Sequence, residues 1–131
     1  SQTFNEVFGS TKNPYSLDKT CGGSSGGSAV ALACGMVPIA TGSDLGGSLR
    51  NPAAWSNIVG FRPSLGRVPA YDDLGWSTLS TGGPMGRQVI DILLQLVSMS
   101  GYEKFSPSSF DDSTIRLENS LNRNFNGTKS A

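Results

Sequence analysis

Apolar residues fall along this chain in short blocks, and three of the blocks have a readable period. Residues 29–34 read AVALAC, good helix material that is apolar nearly all round, and Gly35 follows where a left-handed cap would close the helix. A helix apolar on every side is expected to be buried. Met36 to Thr41 (MVPIAT) fits a buried strand, with Pro38 keeping it short or at an edge. The clearest helix runs from Arg87 to Ser100. Gln88, Asp91, Gln95 and Ser98 make one polar stripe at spacings of three and four, while Val89, Ile90, Leu93, Leu94, Leu96 and Val97 cover the rest. Gly101 caps it. It reads as a core-packing element without chemistry of its own.

Between these blocks the chain is rich in turns. Ser1 to Lys19 is polar and aromatic, and Gly9-Ser10 with Asn13-Pro14-Tyr15 predicts a loop that Phe4, Val7 and Phe8 pin to a core. Ser48 starts a short helix, LRNPAAW, and Ile58 to Phe61 is a brief strand. Arg62 to Pro69 is a turn-rich exit. Ala70 to Pro84 reads as a long irregular loop with Trp76, closed by Gly82, Gly83 and Pro84. From Phe105 onward Ser, Asn and Asp dominate; Ser113 to Leu121 is a weak helix and Asn122 to Ala131 a linker. One domain is expected, with its central region at 20–70, a packing helix at 87–100 and a linker-like tail at 106–131.

Composition sharpens this. The chain has 131 residues, enough for one small domain with a modest core. Charged residues are only 15%, against about 25% in a typical soluble domain. Gly is high at 17, so a core region of something larger is expected. Ten basic and ten acidic residues cancel, and nothing marks the chain for nucleic acid or an anionic membrane. No apolar run approaches the roughly 20 residues of a membrane helix, and no signal peptide is expected. There is no histidine, which excludes a complete Ser-His-Asp or Cys-His apparatus and any His-ligated metal site within these residues. Cys21 and Cys34 lack zinc-type spacing and read as reduced packing thiols in a cytoplasmic setting. Asn126-Gly127-Thr128 fits a glycosylation acceptor, a pattern common by chance.

The candidate chemistry lies in two glycine–serine clusters, Gly22 to Ser28 and Gly46 to Ser48, the second ending the turn Gly42 to Ser48. The first feeds a helix N-terminus; in the second, Gly46 and Gly47 let a ligand approach the backbone. A serine hydroxyl is a poor nucleophile until a base takes its proton. Without histidine, the base is a lysine, a carboxylate, an N-terminal amine or a second serine relaying to one of these. Ser48 follows Gly46-Gly47 at a helix start, where amides from Leu45 to Ser48 converge on a developing oxyanion. Ser24 and Ser25 sit in a loop able to present a hydroxyl to Ser48. This suits acyl transfer through a serine relay. Alone, GGSSGG is equally a flexible linker or a phosphate cradle, but it lacks the Lys of GxxxxGK[ST] and does not match GxGxxG. Asp44 and Arg50 read as a local pair holding the turn, ahead of any acid–base role for Asp44.

Gly22-Gly23-Ser24-Ser25-Gly26-Gly27-Ser28, followed by GSDLGGSLRNPAAWSNIVGFRPSLGRVP, resembles the amidase signature family. The resemblance runs from about Ser1 to about Ser109, and Gly83-Pro84-Met85 with the following helix matches the segment downstream of the signature. It implies an α/β fold, a mixed β-sheet core covered by helices, of which this chain holds the central region. It also implies hydrolysis of a small-molecule carboxylic amide through a serine acyl-enzyme, with no metal or other cofactor. By motif position Ser48 is the nucleophile. Ser24 is the bridging serine, preceded by a cis peptide bond, of a Ser–cis-Ser–Lys triad. The oxyanion hole falls on Leu45, Gly46, Gly47 and Ser48, with Ser25, Asp44 and Arg50 in support. The family's lysine lies upstream of the first serine cluster, and Lys12, Lys19, Lys104 and Lys129 do not stand there. Family members are several times longer, so a fragment truncated at both ends is expected, with little activity by itself; the parent is expected to be able to form a homodimer. Ser43 replaces the commoner Thr, and Trp55-Ser56 a commoner aromatic–Cys pair. Two other functions remain open: an amidotransferase A-type subunit, and a non-catalytic module whose glycine loops bind an anion.

Overall fold

The computed structural model describes residues 2–70, 77–111, 117, 119–122, 124 and 126–128. The N-terminal segment is not the loop its Gly, Asn and Pro residues predict. It folds into two small antiparallel hairpins, β1 (Phe4–Asn5) with β2 (Gly9–Ser10) and β3 (Lys12–Asn13) with β4 (Ser16–Thr20). Asn5 turns the first, its Oδ1 accepting the amides of Val7 and Phe8. Asn13 does the same at Tyr15 and sends its Nδ2 to the Trp55 carbonyl at 2.9 Å. Side chains that cap backbone groups in this way stabilise turns too short to hold themselves.

Helix α1 (Gly26–Ala33) lies where the AVALAC run predicts one. It closes as expected, with Gly35 at φ +70° and the Met36 amide bonded to the Ala31 carbonyl at 2.8 Å. Strand β5 (Ile39–Asp44) begins just past Pro38 and runs three residues further than MVPIAT suggests; it is not the buried strand expected, since Ile39, Thr41 and Ser43 are exposed. Then come α2 (Arg50–Trp55) and β6 (Val59–Gly60).

The segment 81–86 is the main departure. Gly82, Gly83 and Pro84 do not close an irregular loop. They belong to β7 (Thr81–Gly86), the middle strand of a three-stranded sheet ordered β5-β7-β6 and paired antiparallel throughout. Glycine is needed there for closeness rather than for a turn. A Cβ on Gly83 would lie 2.3 Å from the Phe61 carbonyl oxygen and 2.8 Å from Leu49. Pro84 donates no amide, but its carbonyl still accepts from the Phe61 amide at 3.1 Å.

Helix α3 (Val89–Met99) falls inside its predicted span and starts with a reciprocal capping box between Gln88 and Asp91. Its polar stripe only partly faces water, for Gln88 and Ser98 are exposed but Gln95 is not. Gln95 is buried and donates its Nε2 to the Met85 carbonyl at 2.9 Å, whereas Val89 and Leu94 are exposed. The core joins Ala29 and Leu32 of α1, Leu49 and Ala53 around α2, and Met85 of β7, with Val37, Ala40 and Ile58 packed on it. Each large side chain buried in this way contributes about 1.5–3 kcal/mol. This core clamps α1 and α2, and so the ends of both glycine clusters, to one sheet. No helix among the described residues is long and apolar enough to cross a membrane. Trp76 and most of the weak helix expected over 113–121 lie outside the described residues, as does half of the linker-like stretch 122–131. Cys21 is buried as a packing thiol; Cys34 is exposed.

Candidate active site

Asp44 ends β5 and is completely buried. A buried carboxylate must be surrounded by donors. Its Oδ1 accepts the Gly47 amide at 2.8 Å, Arg50 Nη2 at 3.0 Å and Arg62 Nη1 at 3.1 Å. Its Oδ2 accepts Arg50 Nε at 2.9 Å and the amides of Leu49 and Arg50, each at 3.3 Å. The chain therefore folds back on this side chain over the whole 45–50 turn. The Arg50 guanidinium, against the opposing effect of burial and helped by those amides, holds the carboxyl well below the usual carboxylate range. Ser48 lies half-buried inside this wrap; Leu45 and Gly46 are exposed and Gly47 is buried.

Two details of the turn differ from the sequence reading. First, the Gly47 amide, carried over as an oxyanion donor, points instead at Asp44. Second, the pair of Asp44 and Arg50 is a trio. Arg62 donates Nη1 to both the carboxylate and the carbonyl of Asp44, and Nη2 to the Leu79 carbonyl at 2.7 Å. Sequence reasoning missed Arg62 by placing it in an exit turn. A signal was available: between residues 20 and 86 the cations are Arg50, Arg62 and Arg67, few enough to test each against a buried carboxylate.

The first cluster is laid against β5. Ser25 Oγ accepts the Ser43 amide at 3.2 Å and lies 3.4 Å from the Ser43 carbonyl. Ser28 Oγ donates to the Thr41 carbonyl at 2.9 Å. A Cβ on Gly42 would sit 2.7 Å from Ser25 Oγ, so the approach requires glycine. The Ser25 amide then donates to the Ser48 carbonyl at 3.1 Å, which ties the two clusters together directly. Ser25 thus spends its hydroxyl on the scaffold. Ser24, next to it, is exposed, and the Gly23–Ser24 peptide bond is cis.

Two serine-bearing turns are thus held side by side by a backbone bond, and one of them is wrapped on a buried ion cluster. The sequence profile of the family described as Amidase matches residues 1–126. The chain belongs to the amidase signature family. Its fold is the α/β fold of amidase signature enzymes, of which these residues form a central part. The glutamyl-tRNA(Gln) amidotransferase A-type subunit of Pseudomonas fluorescens (strain SBW25) is 41% identical over 123 residues, covering 93% of this chain and 26% of that protein. Among solved structures, a bacterial aryl acylamidase of the amidase signature family matches with a TM-score of 0.80 at 43% identity, over 86% of this chain and 24% of its own. For 6-aminohexanoate cyclic dimer hydrolase the TM-score is 0.78 at 34% identity, over 86% and 24%. The chain spans about a quarter of the length of these amidase signature relatives.

Proposed function

We propose that these residues supply the serine half of an amide-cleaving acyl-transfer site. Ser48 Oγ attacks the amide carbonyl and forms the acyl ester. Ser24 takes the Ser48 proton and passes it to a lysine outside these 131 residues, and the same path returns a proton to the departing amine. Water then attacks the ester and releases the acid. In this reading the amides of Leu45, Gly46 and Ser48 stabilise the oxyanion, while the Gly47 amide stays on the Asp44 carboxylate. The bond from the Ser25 amide to the Ser48 carbonyl carries this reading, because it fixes the loop of one serine against the turn of the other. Preorganisation of this kind is worth more to acyl transfer than reactivity in either hydroxyl.

A fluorophosphonate, whose phosphorus forms a bond to the nucleophilic oxygen as fluoride leaves, tests the assignment in the full-length protein. The tag is expected on the Ser48 peptide and is lost in Ser48→Ala; a tag that survives in Ser48→Ala, or no tag at all, refutes it and favours a binding module. The 131 residues alone, without the lysine, are expected to label slowly.

A second reading has its own support. The curated relative from Pseudomonas fluorescens is named as an amidotransferase subunit. There the same serine chemistry would release ammonia for a partner's acceptor. Amide cleavage by the purified protein alone favours a free-standing amidase acting on a small amide. Cleavage that needs partner subunits favours the amidotransferase.

A further inference from the structure

We propose that Thr3 is a positioning residue for the loop that carries Ser24, holding it closed from outside with one hydroxyl. Helix α1 starts directly behind Ser25, yet Ser25 gives it no side-chain cap because its Oγ is engaged at Ser43. Thr3 takes over. The Gly26 amide donates to Thr3 Oγ1 at 3.1 Å, and Thr3 Oγ1 directs its proton to the Gly22 carbonyl at 3.0 Å, with the Ser24 carbonyl 3.3 Å away. One side chain thus touches both ends of the 22–26 loop and the carbonyl of Ser24 itself.

The seat is tight. A Cβ on Gly26 would fall 2.2 Å from Thr3 Oγ1, and a Cβ on Gly23 would meet the Gln2 backbone at 2.5 Å. Thr3 is itself held, since its carbonyl accepts the Thr11 amide at 2.9 Å across the first hairpin. The N-terminal hairpins therefore present Thr3 to a loop whose three glycines (Gly22, Gly23 and Gly26) would otherwise leave it conformationally free. A proton relay works only when its hydroxyl stays within a fraction of an ångström of place. This inference rests on the reading of Ser24 as the relay to Ser48.

The experiment follows fluorophosphonate labelling of the full-length protein, separating the maximal rate of labelling from the half-saturating concentration. Thr3→Val keeps the shape and removes the hydroxyl. It is expected to lower the maximal rate about tenfold or more, with the half-saturating concentration held within about threefold. Thr3→Ser restores the hydroxyl and is expected to label within about threefold of the wild type. Should Thr3→Val fail to fold by circular dichroism, the Thr3→Ser rate decides alone. A Thr3→Val protein that labels at the wild-type rate, or a folded Thr3→Ser protein about ten times slower than the wild type, overturns the proposal. A wild-type tag mapped away from Ser48 instead removes the acyl-enzyme reading, and the role of Thr3 with it.

Discussion

Replacing Asp44 by Asn tests whether the nucleophile turn is built on one buried charge. The change keeps the shape and removes the charge. Oδ1 and Oδ2 each accept three donors, from Gly47, Arg50 and Arg62 on one side and from Leu49 and Arg50 on the other. Whichever way the new amide turns, its NH2 faces three donors and can accept from none. Hydrogen bonds to a charged group contribute about 1.5–3 kcal/mol each, so several cannot be lost cheaply. Relief comes from the arginines, since the Arg50 side chain is 55% exposed and that of Arg62 26%, and both can turn to water. The three amides have no such escape. The expected loss is therefore that of breaking a buried pair, about 3–5 kcal/mol. Equilibrium urea unfolding of the full-length protein reads this as a lower midpoint at unchanged slope. Arg50→Gln is the control: it leaves the carboxylate charged and still held by Arg62 and the three amides, so it should lower the midpoint less than Asp44→Asn does. If Asp44→Asn costs no more than Arg50→Gln, Asp44 is not the anchor and the turn is held by something else.

Three further outcomes are expected. Because the Asp44 carboxyl is depressed in the fold, its contribution is complete above its ordinary pKa of about 3.9 and disappears as pH falls below that; the urea midpoint gap between wild type and Asp44→Asn should be flat from about pH 5 to 8 and shrink in stronger acid. Gly42→Ala places a methyl 2.7 Å from Ser25 Oγ and 2.9 Å from Met85 Sδ, so it should lower stability by about 1–3 kcal/mol and slow labelling of Ser48; unchanged values would show that β5 does not hold the first loop. Ser56 Oγ is fully buried and makes no hydrogen bond among the described residues, so Ser56→Ala should leave stability unchanged or raise it by up to about 1 kcal/mol; a clear loss by thermal denaturation would reveal a partner for the hydroxyl.

What the sequence made legible follows physical range. Helices α1 and α3 announce themselves because their causes are local: periodicity, a capping residue and a terminal glycine. Strand β7 stayed hidden because Gly82, Gly83 and Pro84 have one local meaning, a turn, and a different tertiary one. Only the nearness of Phe61 and Leu49 makes Gly83 a strand residue. Which side of α3 is buried is hard to read for the same reason. Gln95 looks like a solvent residue until the Met85 carbonyl is seen above it. At the candidate site, the two serine clusters and the Asp44–Arg50 pair could be read from spacing within a few residues. Arg62 is 18 residues from Asp44 and Thr3 is 23 from Gly26, and neither partnership leaves a local pattern.

Nothing tests the role of Ser48 more sharply than catching the acyl group. The full-length protein is quenched in acid during turnover of an activated ester, digested, and its peptides weighed. The added acyl mass is expected on the peptide bearing Ser48, with far slower accumulation in Ser24→Ala and none in Ser48→Ala. Acyl mass on Ser24 or Ser25, or turnover without a covalent species in any quench, would rule out Ser48 as the nucleophile and Ser24 as its relay.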